Sequence, residues 1–107
     1  MESRDIGICK EIGQILYDAA PDGASKVLMK AELAPEGDVC KFEYDYSKES
    51  GESGWFLPED GAVDQRLREL LVLHRDFFVS QNQPPWKVFS YTLDVEAGRF
   101  SLQLSYD

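Results

Sequence analysis

The sequence predicts a two-layer α+β domain, an antiparallel sheet of two hairpins and a short strand with two helices laid on one face, in the order α-β-β-β-α-β-β. Apolar and polar residues alternate on both arms of a stretch from Trp86 to Tyr106, and again between Lys26 and Tyr46. Elsewhere apolar residues recur at spacings of three and four, the period of an amphipathic helix. With 107 residues the chain has room for one core, and a single domain is expected over 1–107.

The first helix is expected from Arg4 to Ala20. Ile8, Cys9, Ile12, Ile15, Leu16 and Ala19 fall on one side of it, Ser3 is placed to cap it, and Pro21-Asp22-Gly23 stops it. A hairpin follows, turning at Pro35-Glu36-Gly37-Asp38. One arm sends Val27, Met29, Ala31 and Leu33 inward, the other Cys40, Phe42, Tyr44 and Tyr46. The run from Ser47 to Gly54 is polar and glycine-rich, has nothing to bury, and is expected to be a mobile loop. Trp55-Phe56-Leu57, closed by Pro58, reads as a brief strand or a clamp packed on the sheet edge.

A second helix should begin near Asp60 and reach about Ser80, with Val63, Leu67, Leu70, Leu71, His74, Phe77 and Phe78 on one face. Gln81-Asn82-Gln83-Pro84-Pro85 ends it. In the closing hairpin Phe89, Tyr91, Leu93 and Val95 share a face with Phe100, Leu102, Leu104 and Tyr106, around Glu96-Ala97-Gly98-Arg99. At roughly 1.5 to 3 kcal/mol for each fully buried side chain, that face calls for a cover.

Twenty acidic against 11 basic side chains give a net charge of −9, which disfavours direct binding to nucleic acid or to an anionic membrane and suits a cationic partner. Cys9 and Cys40 have no metal-ligand spacing and read as small apolar residues. No signal pattern opens the chain and the longest apolar run is Leu70 to Leu73, so a cytoplasmic protein is expected. No phosphate-binding loop or calcium loop occurs, and no cofactor or metal is expected. Ser47, Ser50 and Ser53 lack a nucleophile-elbow pattern. His74, the only histidine, falls in the apolar stripe of the second helix without an orienting carboxylate, and reads as a core residue before it reads as a general base. These features favour a binding protein over an enzyme.

From Glu32 to Asp60 nine acidic residues face two basic ones, a local balance of −7. Aromatic residues accompany them. Asp45, Glu49, Glu52, Trp55, Glu59 and Asp60 are therefore the candidate partner-binding residues, the ring supplying buried area and the carboxylates steering a basic partner.

Several strings along the chain resemble the YezG-like immunity proteins of bacterial toxin systems. They are Glu11-Ile12-Gly13-Gln14-Ile15-Leu16, Phe42-Glu43-Tyr44-Asp45-Tyr46, Leu67-Arg68-Glu69-Leu70-Leu71, Pro85-Trp86, and Gly98-Arg99-Phe100 with a Tyr106-Asp107 ending. The chain departs from that family in Gln103-Leu104-Ser105-Tyr106-Asp107, where an Asp-Tyr-Asp-Tyr type string is common, and in the loop from Ser47 to Gly54. The resemblance implies a non-enzymatic protein that neutralises a cognate toxin, commonly a nuclease, delivered between competing bacterial cells. It leaves the binding residues open. Two other readings stand beside it: an acidic adaptor or nucleic-acid mimic acting on another basic protein, and a small hydrolase using His74.

Overall fold

The computed structural model describes residues 4–106, ordered as α1 (Arg4–Ala19), β1 (Lys26–Leu33), β2 (Cys40–Ser47), β3 (Ser53–Trp55), α2 (Ala62–Ser80), β4 (Val88–Asp94) and β5 (Arg99–Ser105). The expected cap Ser3 and the terminal Asp107 lie outside the described residues. All five strands form one antiparallel sheet in the order β3-β2-β1-β4-β5, so the two hairpins join through β1 and β4. The fold is α+β, with the expected element order. No helix among the described residues is long and apolar enough to cross a membrane.

Period-two alternation is sharpest on the two central strands. Val27 pairs with Leu93, Met29 with Tyr91 and Ala31 with Phe89, and partners across a ladder share a face, so six apolar side chains meet as one buried surface. Onto it α1 lays Ile8, Cys9, Ile12 and Leu16, and α2 lays Leu67, Leu70, Leu71 and His74. Gly13 sets the approach of α1. A Cβ there would stand 2.6 Å from the Tyr91 hydroxyl, which instead donates a 2.8 Å hydrogen bond to the Cys9 carbonyl. The second helix is tied to the sheet by polar contacts as well. Tyr44 donates to Asp64 Oδ1 at 2.5 Å, Arg75 donates to the carbonyls of Ala34 and Pro35 at 3.0 Å each, and Arg68 donates to the Gly37 carbonyl at 2.8 Å. These arginines hold the β1–β2 turn against the helix, a role the sequence did not disclose.

The end of α2 is fixed by local chemistry. Asn82 adopts φ 63°, the left-handed region that asparagine tolerates, and Gln83 N–H and Asn82 N–H reach back to the carbonyls of Phe78 and Val79. This is a Schellman stop with asparagine in the usual glycine position. It delivers Pro84, Pro85 and the buried Trp86 to the start of β4.

Four expectations are corrected in detail. The closing hairpin has the expected faces, but its outer arm is not covered: α1 sits over β4, leaving Phe100 36% and Tyr106 48% exposed, with Leu102 and Leu104 only half-buried. Its turn is Val95–Gly98, because Arg99 already pairs with Asp94. The loop expected from Ser47 to Gly54 is shorter, because Ser53 and Gly54 belong to β3; within it Lys48 N–H donates to the Glu52 carbonyl at 2.7 Å, Gly51 N–H donates to the Lys48 carbonyl at 2.9 Å, and Lys48 pairs with Glu52 at 3.1 Å. The expected brief strand is present at the sheet edge but shifted to Ser53–Trp55, and of the apolar burst only Phe56 turns inward, against Tyr44 and Tyr46.

Candidate functional site

Strand alternation and hairpin order decide where the charges go. The sheet face turned away from the helices carries Lys26, Lys30, Lys41 and Arg99 against Glu32, Glu43, Asp45 and Asp94, and so is balanced. One of its ends is not. Where β1 and β5 begin and β2 and β4 finish, the connecting loops bring together Asp22, Glu49, Glu52 and Glu96, and the segment before α2 adds Glu59 and Asp60. Asp18, in the last turn of α1, joins them. Among the described residues of these loops Lys48 is the only base.

The opposite end is compensated. Glu36 and Asp38 lie in the β1–β2 turn that Arg68 and Arg75 grip, with Lys87 nearby on the next connection. The strands β1 and β2 are each eight residues long, which separates the two ends by about 26 Å at the usual strand rise. The acidic window from Glu32 to Asp60 is therefore not one patch, because the first hairpin splits it between the ends.

At the acidic end a groove of about 680 Å³ runs between the C-terminus of α1 and the connection into α2. Its floor is apolar, from Ile15, Phe56, Leu57 and Val63, and its rim carries Asp18, Asp22, Glu59 and Asp60. Leu57 is 69% exposed, an apolar side chain held in water beside four carboxylates. Such a lining suits a Lys or Arg side chain, whose aliphatic stem can lie on the floor while the charged head reaches the rim. Beyond the groove, the neighbouring Glu49 carboxyl, helped by Asp94, raises the Glu96 carboxyl above the usual carboxylate range. Two acids pressed together on an exposed surface mark a site where added positive charge is favourable.

The candidate residues read from the sequence are distributed as follows. Glu59 and Asp60 line the groove, and Asp60 Oδ1 also accepts the Ala62 N–H at 2.9 Å, stabilising the first turn of α2. Glu49 touches Glu96, and Glu52 is paired with Lys48. Asp45 and Trp55 are ladder partners on the open sheet face, inside the strands rather than in the acidic loops. Trp55 is 74% exposed, so it is not a core clamp. Beside it Phe42, Glu43, Asp45 and Leu57 surround a shallow notch of about 270 Å³. Asp18, Asp22 and Glu96 were missed because they lie outside the acidic window. The turn signals Pro21-Asp22-Gly23 and Glu96-Ala97-Gly98, combined with the hairpin order, could have located Asp22 and Glu96.

Groups with other chemistry are buried or half-buried. His74 is fully buried, accepts the Trp86 indole N–H on Nδ1 at 3.0 Å, and lines none of the grooves described. Burial lowers its pKa. Burial likewise pushes the Cys9 thiol up to about 11 and the Cys40 thiol up to about 12, which leaves both as neutral thiols. Both cysteines are free.

No family model matches the chain, and no curated protein sequence matches it.

Proposed function

We propose that this chain is a neutralising protein of the YezG-like immunity type, which binds a basic bacterial toxin domain, a nuclease, and blocks it by non-catalytic association. The observation that carries this reading is the excess of carboxylates over bases at the acidic end, with its groove lined by Ile15, Phe56, Leu57 and Val63. A surface that grips phosphate is basic, and an acidic end is its electrostatic complement. The carboxylates accelerate encounter, while apolar contacts at Leu57, Phe56 and Val63 set how long the complex lasts. The family strings quoted above support the same class of partner. The burial of His74 weighs against a hydrolase centred on it.

The test is kinetic. With the cognate toxin domain as the partner, Glu49→Lys with Glu52→Lys should slow association, and the deficit should shrink above about 0.1 M salt as screening sets in. An association rate indifferent to the double substitution at low salt rejects the steering role.

A further inference from the structure

We propose that β5 is a pairing edge for a second copy of this chain, so that the sheet continues across a twofold axis as antiparallel β5–β5. Among the described residues the strand pairs only with β4, through an unbroken register from Val88↔Ser105 to Asp94↔Arg99, and no strand pairs with its other side. The two edges of the sheet are built differently. The strand β3 is three residues long and contains Gly54, whereas β5 is seven residues long and has no proline, no bulge and no inward-pointing charge, the devices that normally block an edge. On the helix side Phe100, Leu102 and Leu104 extend past the helices, with Phe100 stacked on Tyr91 at 5.3 Å between ring centroids. The flank of α1 that carries Gly13 faces away from the Glu11–Arg66 contact with α2, and it leaves Tyr17 and Ile6 exposed above this row.

Charge and pattern both fit a second copy. No carboxylate lies on β5 in a chain of net charge −9. Antiparallel pairing sets the acidic end of each copy beside the compensated end of the other, which holds Arg68, Arg75 and Lys87. Centred on Leu102, the pairing opposes Phe100 to Leu104, Ser101 to Gln103 and Arg99 to Ser105 of the second copy, like with like on both faces. The two β4 strands would then lie about 14 Å apart, three strand spacings, and the two α1 flanks would wall a trough floored by six β5 apolar side chains.

Sedimentation of the full chain from micromolar to millimolar concentration should show growth from the 12.2 kDa chain to twice that mass. The dimer should tighten above about 0.1 M salt, where repulsion between the two net charges is screened. Ser101→Lys with Gln103→Lys, on the solvent face where the monomer fold is indifferent, opposes like charges twice across the seam and should weaken the dimer about tenfold. Ser101→Lys with Gln103→Glu opposes unlike charges there and should restore it. A chain that stays monomeric throughout, or a dimer that the double lysine variant leaves unchanged, overturns the proposal. Equal loss in both variants overturns the register.

Discussion

Acidification below pH 6.5 should destabilise this fold through His74. Because Nδ1 accepts the Trp86 indole N–H at 3.0 Å, the neutral ring carries its proton on Nε2, which has no hydrogen-bond partner among the described residues. A second proton would set one N–H against another and place a full charge among the rings of Phe78, Trp86 and Phe89. Burial therefore lowers the folded-state pKa from the ordinary 6.5, with Asp5 pulling the other way. The unfolded chain takes up the proton first, so the stability is fully present above 6.5 and is lost as pH falls. The slope approaches about 1.4 kcal/mol per pH unit, which corresponds to roughly 6–11 °C in Tm for a domain of this size. Melting curves between neutral pH and about 5.5 read it before ordinary carboxylates protonate. Glu96, with its raised pKa, contributes in the opposite sense, so the series belongs in a Glu96→Gln background. His74→Gln removes the titrating group and should flatten the curve. The same slope with and without His74 refutes the reasoning.

Four other substitutions probe the structure by equilibrium urea unfolding, amide exchange and binding. Leu67→Ala empties a fully buried position under both layers and should cost about 2–5 kcal/mol in the unfolding free energy. Tyr44→Phe keeps the ring packing but deletes the 2.5 Å bond to Asp64, and should cost about 1.5 kcal/mol; a neutral result would show that the bond adds nothing in water. Arg75→Met leaves the Ala34 and Pro35 carbonyls without their donor, so stability should fall by about 1–3 kcal/mol and the Ala34 amide, bonded to the Val39 carbonyl, should exchange faster. Trp55→Ala, at a side chain 74% exposed, should change stability by less than about 0.5 kcal/mol; if Trp55 anchors the partner, dissociation should quicken by about 2 kcal/mol or more, and normal binding would remove it from the interface.

The architecture was legible because its signals are short-range. Alternation placed Val27, Met29, Phe89 and Tyr91, helical spacing placed Ile12, Leu16, Leu67 and Leu71, and Gln81-Asn82-Gln83 announced the helix stop. What stayed hidden depends on which strand lies under which helix. Phe100 and Leu102 have the same pattern as Phe89 and Tyr91, yet only the strand order shows that they fall beyond the cover of α1. The inward role of Arg75 was likewise invisible, since a single charged residue on a helix flank says nothing about the carbonyls it will meet across the turn. The candidate site was half legible. Linear charge density identified Glu49, Glu52, Glu59 and Asp60, but also Glu36 and Asp38, which the hairpin carries to the other end of the sheet, and it left out Asp18, Asp22 and Glu96.

That division of charge between two ends supplies the decisive measurement. On the proposed function, cells expressing the cognate toxin domain should be rescued by the native chain, and the rescue compared for two variants of identical net charge. One reverses Asp22 and Glu59 at the rim of the groove, as Asp22→Lys with Glu59→Lys; the other reverses Glu36 and Asp38 about 26 Å away, as Glu36→Lys with Asp38→Lys. If the acidic end is the toxin-binding surface, the first variant loses protection while melting normally and the second retains it. Equal protection by both, or loss confined to the Glu36 and Asp38 variant, would contradict that assignment.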